Sequence, residues 1–278
     1  MTPRRRREWF EDDSFWRDLY AFLFSESRFT AALEDVDKVV ALTKPKGRAV
    51  LDLCCGPGRF SIALAKRRFA VTGVDRTKYL LDKARAKARA ARVRIEWVRQ
   101  DMRDFARPDS FDLALSMFTS FGYFDDKRED LKVLGNILAS LRPGGAFLLD
   151  MGGKEWLARI FAPTTSHTLP DGTILVQRHA IFDDWTRIRN EWILIRRGRA
   201  KTFTFHHTIY SGQELRDRME QVGFVGVKLY GNLRGEEYGS KAERLVAVGR
   251  RPGSSRLHRS SKTTFRSATA PLLSNRAK

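Results

Sequence analysis

Only two of the 278 residues are cysteine, Cys54 and Cys55, and they are adjacent. Neighbours in an extended segment point to opposite faces, so a bridge between them would be strained. Two thiols are also too few for a cysteine-built metal cage. A disulfide-stapled fold is thereby excluded, and small side chains packed under a loop are the expected role. No apolar run approaches the roughly 18 residues that a membrane-spanning helix needs. The basic start, Met1-Thr2-Pro3-Arg4-Arg5-Arg6-Arg7, is followed by no apolar core of the kind that marks a secretory signal. These absences make a cytoplasmic protein without a membrane partner the expectation. No internal repeat is evident.

Acid is missing from the two ends. Residues 250–278 hold eight Lys or Arg and no Asp or Glu, and Arg4 to Arg7 add four more, so most of the net charge of +19 lies outside the body of the chain. The last stretch has few bulky apolar residues, and 251–278 is expected to be a disordered basic tail. Such a tail either touches nucleic acid or anionic surfaces through nonspecific attraction or only raises solubility. The body has an ordinary 42% of hydrophobic residues and is long enough to build a full core.

The body shows a clear rhythm. Residues 8–43 read as helical, with Phe15, Trp16, Leu19, Tyr20, Phe22 and Leu23, then Val36, Val39, Val40 and Leu42, at helical spacing. Lys44-Pro45-Lys46-Gly47 breaks that pattern. Strand 48–54, helix 59–68, strand 70–75, helix 77–91 and strand 93–98 follow. The run Phe111 to Met117 reads as a buried strand, Asp126 to Leu141 as a helix stopped by Arg142-Pro143-Gly144-Gly145, and Ala146 to Met151 as the next strand. This alternation predicts a doubly wound, mostly parallel α/β sheet of seven strands, Rossmann-like in plan. After a short helix at 153–161 the pattern changes. Thr173–Phe182, Thr186–Ile195 and Lys201–Tyr210 read as three antiparallel strands, with turns at Asp183-Asp184 and Arg197-Gly198. Ser211 and Glu214 have capping-box spacing ahead of a further helix, and strands 224–230 and 244–249 close the sheet. The expected organisation is an N-terminal helical cap (1–43), a main domain (44–250) with a β insert at about 165–210, and the tail.

The most telling stretch is Ala49-Val50-Leu51-Asp52-Leu53-Cys54-Cys55-Gly56-Pro57-Gly58-Arg59-Phe60-Ser61, with Val71-Thr72-Gly73-Val74-Asp75 one helix later. An apolar strand carrying an acid, a Gly-x-Gly turn, a helix and a second strand ending in an acid form a nucleoside cradle at the carboxyl edge of a parallel sheet. Gly56 and Gly58 let backbone approach a ligand. The helix N-terminus near Arg59 offers N–H groups to a carboxylate or phosphate. Asp75 is placed to accept from two ribose hydroxyls. A dinucleotide site would carry a third glycine where Ser61 stands, and Asp52 would repel a pyrophosphate. The same Asp52 suits an α-ammonium and a sulfonium, which favours S-adenosylmethionine.

Four pieces together resemble the class I S-adenosylmethionine-dependent methyltransferases over about residues 45–250. They are Val50 to Gly58, Asp75, the loop Arg99-Gln100-Asp101-Met102-Arg103, and Ser116-Met117-Phe118-Thr119-Ser120-Phe121-Gly122-Tyr123. Cys54-Cys55 departs from the small alanine or glycine more usual there. The loop from Asp101 to Phe105, the phenylalanine-rich run and the β insert are most similar to small-molecule enzymes, the amino-sugar and glycine N-methyltransferase-like branch. The resemblance implies that Asp52 and the loop Cys54, Gly56, Pro57 and Gly58 hold the methionine end of the cofactor. It implies that Asp75, followed by Arg76, takes the ribose, that Asp101 accepts from the adenine amino group with Met102 on the ring, and that Met117 and Phe118 line the transfer site.

The acceptor implied is a small molecule methylated on nitrogen or oxygen. An RNA-modifying enzyme using the basic termini, and a cofactor-binding protein without transfer activity, are the competing readings. An Asn-Pro-Pro-Tyr tetrapeptide, needed by one class of base methyltransferase, is absent after the fourth strand, and no cysteine stands ready to attack a cytosine. Alignment of an unprotonated nucleophile is the main catalytic demand. If a base is used, His206 and His207 are candidates, because imidazole titrates near neutrality. They fall on opposite faces of their strand, and a structural or surface role competes for each. Tyr20, Tyr123 and Tyr210 are candidate substrate contacts, with amphipathic packing as the alternative. No metal site is expected.

Overall fold

The computed structural model describes residues 8–253. A 3-10 turn at Trp9–Glu11 leads into α1 (Asp13–Asp18), α2 (Tyr20–Leu23) and α3 (Glu26–Thr43). Then come β1 (Ala49–Leu53), α4 (Arg59–Lys66), β2 (Ala70–Asp75), α5 (Lys78–Ala90), β3 (Glu96–Arg99) and β4 (Phe111–Ser116). They are followed by α6 (Lys127–Ser140), β5 (Leu141–Met151) and α7 (Lys154–Ile160). Four strands come next, β6 (Thr164–Thr168), β7 (Ile174–Phe182), β8 (Arg187–Arg196) and β9 (Arg199–Thr208), before α8 (Gly212–Gln221), β10 (Val225–Tyr230) and β11 (Leu245–Arg250).

Seven strands make one sheet in the order β10-β11-β5-β4-β1-β2-β3. The five strands β1 to β5 run parallel, and β11 lies antiparallel between β5 and β10. Val50 and Leu115 face Val36, Val39, Phe60 and Leu64 on one side, while Leu51 and Leu149 face Val133, Leu134 and Leu215 on the other. Helices cover both faces, which is why these strands read as unbroken apolar runs rather than alternating ones. The strand order reverses at β1, which pairs with β2 on one side and β4 on the other. Connections leaving these strand ends diverge, so a crevice opens beyond them.

The second sheet is antiparallel, in the order β6-β7-β8-β9. Positive φ at Arg197 (50°) and Gly198 (72°) makes the tight turn between β8 and β9. One face of this sheet is packed by the N-terminal helices, with Phe15 and Leu19 against Leu175, Leu194, Phe203 and Phe205. Polar contacts also dock it, among them these three. The Thr208 N–H donates to the Gly122 carbonyl at 2.7 Å, Arg187 pairs with Asp125 at 3.1 Å, and Lys201 pairs with Asp18 at 2.7 Å.

Several expectations need correction. The helical run 8–43 is broken at Asp12, Leu19 and Phe24–Ser25, where the backbone leaves helical geometry. The third strand begins at Glu96 rather than 93, because Val93 still donates to Ala88 and closes the preceding helix. Pro143-Gly144-Gly145 does not stand as a loop but lies inside β5, with a register shift against β4. The antiparallel sheet has four strands, not three. Thr164-Thr165-Ser166-His167-Thr168 offers no apolar alternation, and only its ladder with β7 makes it a strand. The expected tail lies outside the described residues, apart from 251–253. No helix among the described residues is long and apolar enough to cross a membrane.

Candidate active site

The crevice at the strand ends is a cleft lined by Asp52 on β1, Asp75 at the end of β2 and Asp101 just past β3. Both oxygens of Asp75 are engaged. Oδ2 accepts the Gly56 N–H at 2.9 Å and Oδ1 accepts the Thr77 N–H at 2.8 Å. One carboxylate thus folds the glycine loop and caps the approach to α5. Burial pushes its carboxyl above the usual range, against the opposing pull of those two N–H groups. Asp52 is buried and accepts the Ser61 hydroxyl, and burial pushes its carboxyl up to about 6. The residue in the third-glycine position therefore orients the acid. Asp101 differs. Burial raises it, but the Arg103 guanidinium, at 3.0 and 2.8 Å, and Arg76, at 3.5 Å, hold it below the usual range.

Gly58 ends the loop in left-handed geometry (φ 82°), and a Cβ there would sit 2.7 Å from the Trp97 ring. Cys54 also has positive φ (59°), an uncommon conformation for a residue with a side chain, and its Sγ lies 3.4 Å from the Met102 sulfur. Burial pushes both thiols up, and both cysteines are free.

Sequence reasoning placed an anion at the N-terminus of α4 but overlooked the side chain of Arg59. The residue is only 8% exposed, its Cζ lies 4.0 Å from the centre of the Phe118 ring, and its Nη1 is buried with no partner. Burial lowers the guanidinium to about 10, with neighbouring Arg28 adding to the effect. A readable signal was present, because a cation in the first turn of a helix opposes the helix dipole. Phe10, Trp16 and Phe24, from the N-terminal segment, also line the cleft. Arg76 ties that segment down through the Phe10 carbonyl and Glu11.

Beyond β4 the backbone makes two consecutive left-handed residues, Phe118 (φ 56°) and Thr119 (φ 61°). Asp150, at the end of β5, holds this turn. Its carboxylate accepts the Phe118 N–H at 3.3 Å and its carbonyl accepts the Thr119 N–H at 3.0 Å, while Arg244 pairs with the carboxylate at 2.8 Å. Strained backbone of this kind persists only where surroundings over-determine it. On the far side of the turn lies a second chamber of about 400 Å³, walled by the inner face of the four-stranded sheet, α7 and the N-terminal helices. Trp16, Leu23, Phe118 and Tyr123 line both cavities, so the two meet there.

Of the residues singled out from the sequence, Asp52, Cys54, Gly56, Asp75, Arg76, Asp101, Met102, Met117 and Phe118 line the cleft. Pro57 and Gly58 do not, being buried in the loop beneath it. The two histidines separate. His206 pairs with Asp125 on the outer face and lines neither cavity, whereas His207 lines the second chamber. Burial, then His206 and His179, push His207 down to about 4, so it is neutral at pH 7. Tyr123 lines both cavities, but Tyr20 and Tyr210 line neither. Tyr20 stacks edge-on against Tyr79, and Tyr210 is fully buried, donating its hydroxyl to Asp130 at 2.5 Å.

A reversed strand order, a glycine loop and acids converging on one cleft define a nucleoside-binding α/β protein of Rossmann-like plan. Comparison with known proteins narrows this. Residues 50–145 match a family model described as a methyltransferase domain. YqeM of Bacillus subtilis (strain 168), named as a methyltransferase, is 25% identical over 231 residues, which cover 81% of this chain and 93% of that one. The cypemycin N-terminal methyltransferase of a Streptomyces species is 28% identical over 204 residues, 73% of this chain and 82% of its own. Among solved structures, an S-adenosylmethionine-dependent methyltransferase of Clostridium acetobutylicum superposes with a TM-score of 0.72 at 14% identity, covering 87% of this chain and 99% of that one. CalS10, an amino pentose methyltransferase of Micromonospora echinaspora solved with S-adenosylmethionine bound, superposes at 0.64 and 20% identity, covering 85% and 96%. The chain thus carries a methyltransferase domain and has the fold of the class I S-adenosylmethionine-dependent methyltransferases.

Proposed function

We propose that this enzyme methylates a nitrogen or oxygen of a small molecule held in the second chamber. The observation that carries this reading is the shared wall at Trp16, Leu23, Phe118 and Tyr123, which joins a nucleoside cleft to a second, mostly apolar chamber. Residues 1–43 would act as a cap, 44–250 as the catalytic domain and about 165–210 as an insert that roofs the acceptor. Asp75 would hold the ribose hydroxyls, Asp101 and Met102 the adenine, and Asp52 the α-ammonium. The unpartnered Arg59 Nη1 fits a carboxylate, the one anionic group of the amino-acid end. When bound, the sulfonium supplies an activated methyl group, with the C–S electron pair departing to sulfur as the acceptor bond forms. The protein's own work is alignment and exclusion of water. Phe118 and Tyr123 would position the acceptor, and the aromatic walls would keep the junction dry. No charged side chain lines the chamber, so a polynucleotide finds no phosphate contact there, which favours the small molecule over RNA. A cytoplasmic setting suits the two free thiols.

Calorimetry with S-adenosylhomocysteine tests the cofactor half, since the parent protein should bind it and Asp75→Ala should not. A screen of amines, hydroxyl compounds and RNA with labelled cofactor tests the acceptor half. Label appearing in RNA alone would refute the small-molecule reading.

A further inference from the structure

Building on the small-molecule reading above, we infer that the second chamber takes an uncharged, flat ring compound that carries oxygen hydrogen-bond acceptors. Charge comes first. None of the residues lining the chamber is Asp, Glu, Lys or Arg. A phosphate or carboxylate would give up its hydration for nothing of opposite sign, and an ammonium would meet ring faces but no carboxylate. Shape comes second. Trp9, Trp16, Tyr123, Trp192 and Phe205 supply the walls, with Trp9 and Phe205 at 4.8 Å and Trp192 and Phe205 at 5.1 Å between ring centres. Rings of this kind bury large flat areas and bind another ring by offset or edge contact.

The third observation sets the polarity of the ligand. Three buried N–H donors on this lining have no partner, namely Trp9 Nε1, Trp192 Nε1 and Asn190 Nδ2. Asn190 is 4% exposed, and its amide oxygen is already engaged by His179 Nδ1 at 2.7 Å, so its NH₂ is the end left over. Buried donors are almost always satisfied, and a lining with three free ones is complementary to a ligand that brings acceptors. His207 Nδ1, also buried and unpartnered, adds one position able to receive a hydroxyl. Among the buried, unpartnered side-chain atoms on these walls, donors outnumber acceptors. A carbonyl-, ether- or phenol-bearing ring therefore matches them better than an amine-rich or phosphorylated sugar.

The test uses the full protein saturated with S-adenosylhomocysteine and four probes, which are naphthol, naphthyl phosphate, decahydronaphthol and naphthalene. Binding is read by calorimetry and by quenching of tryptophan fluorescence, neither of which needs turnover. Naphthol should bind tightest, since the other three respectively add charge, remove planarity and remove the oxygen. Asn190→Leu and, separately, Trp192→Phe should each weaken naphthol by about 3- to 10-fold, the range expected for one neutral hydrogen bond. S-adenosylhomocysteine binding and the circular dichroism spectrum should not change. If Asn190→Leu fails to fold, Trp192→Phe and Trp9→Phe carry the test, because phenylalanine keeps a six-membered aromatic face while losing the donor, and naphthalene, which uses no donor, reads the part of the loss that comes from contact area. Naphthyl phosphate or decahydronaphthol binding as tightly as naphthol would overturn the inference, as would unchanged affinity in the folded variants. Saturation by S-adenosylhomocysteine without any naphthol binding would overturn it while leaving the cofactor reading intact. Absence of S-adenosylhomocysteine binding would remove both.

Discussion

Arg59 gives the sharpest test of the cleft. The guanidinium is nearly buried, stacks on Phe118 and leaves Nη1 without a partner. If it meets the cofactor carboxylate, Arg59→Met removes one charge-assisted hydrogen bond, worth about 1.5–3 kcal/mol or roughly 10- to 150-fold in affinity. The loss should be specific. Methylthioadenosine shares the adenine, ribose and sulfur but has no carboxylate, so its affinity should stay within about 2-fold, well inside 1 kcal/mol. Stability should move the opposite way. Lowering the guanidinium from 12.5 to about 10 means that charging it in the empty protein costs about 3 kcal/mol, an upper bound on the gain when methionine replaces it. The sign is fixed because a depressed cation destabilises the fold wherever it stays charged, below about pH 10. Calorimetry with both ligands and thermal midpoints without ligand are the assays. Equal losses for the two ligands would refute the reasoning, since they would mean a damaged cleft rather than a missing charge.

Three further outcomes are expected. The raised carboxyl of Asp52, about 6 when folded against 3.8 otherwise, means that the folded state binds a proton more readily. Stability should therefore fall as pH rises from 4 to 6 and stay low above. Asp52→Asn should flatten that slope in urea titrations and gain at most about 3 kcal/mol at pH 7, while weakening S-adenosylhomocysteine. Gly58→Ala should destabilise by about 1–3 kcal/mol and lower the melting temperature, because a Cβ at positive φ meets Trp97 at 2.7 Å; an unchanged midpoint would contradict the packing described. His206→Ala removes an exposed contact with Asp125 and should cost less than about 1 kcal/mol with little change in turnover, whereas His207→Phe should impair the chamber; equal turnover losses would reject that separation.

Much of the main sheet was legible because each strand carries its own signal. Val50 to Leu53, Val71 to Val74 and Leu113 to Leu115 are buried on both faces, so composition alone marks them. The capping box at Ser211 and Glu214 is equally local, and the structure contains it as written. The edge strand Thr164–Thr168 was not legible, because its partner β7 and not its side chains makes it a strand. Asp52 and Asp75 could be named in advance since each sits near the end of an apolar run, where a parallel sheet presents its ligands, whereas Asp101 was named through the family resemblance. The arginine beside them showed only as a cation in a first helical turn, because nothing near it in the chain points to the Phe118 ring, 59 residues onward, that covers it.

By itself the sequence determined the class of the protein, because the glycine loop, the spaced acids and the strand periods are short-range patterns that physics lets only a few backbones satisfy. The acceptor chamber was decided by tertiary structure alone. Trp9 from the N-terminal turn, Tyr123 from the loop after β4, and Asn190, Trp192 and His207 from the second sheet are far apart in the chain. Nothing local relates them, and only the docking of α1 beneath the antiparallel sheet brings their rings and unpaired N–H groups around one space.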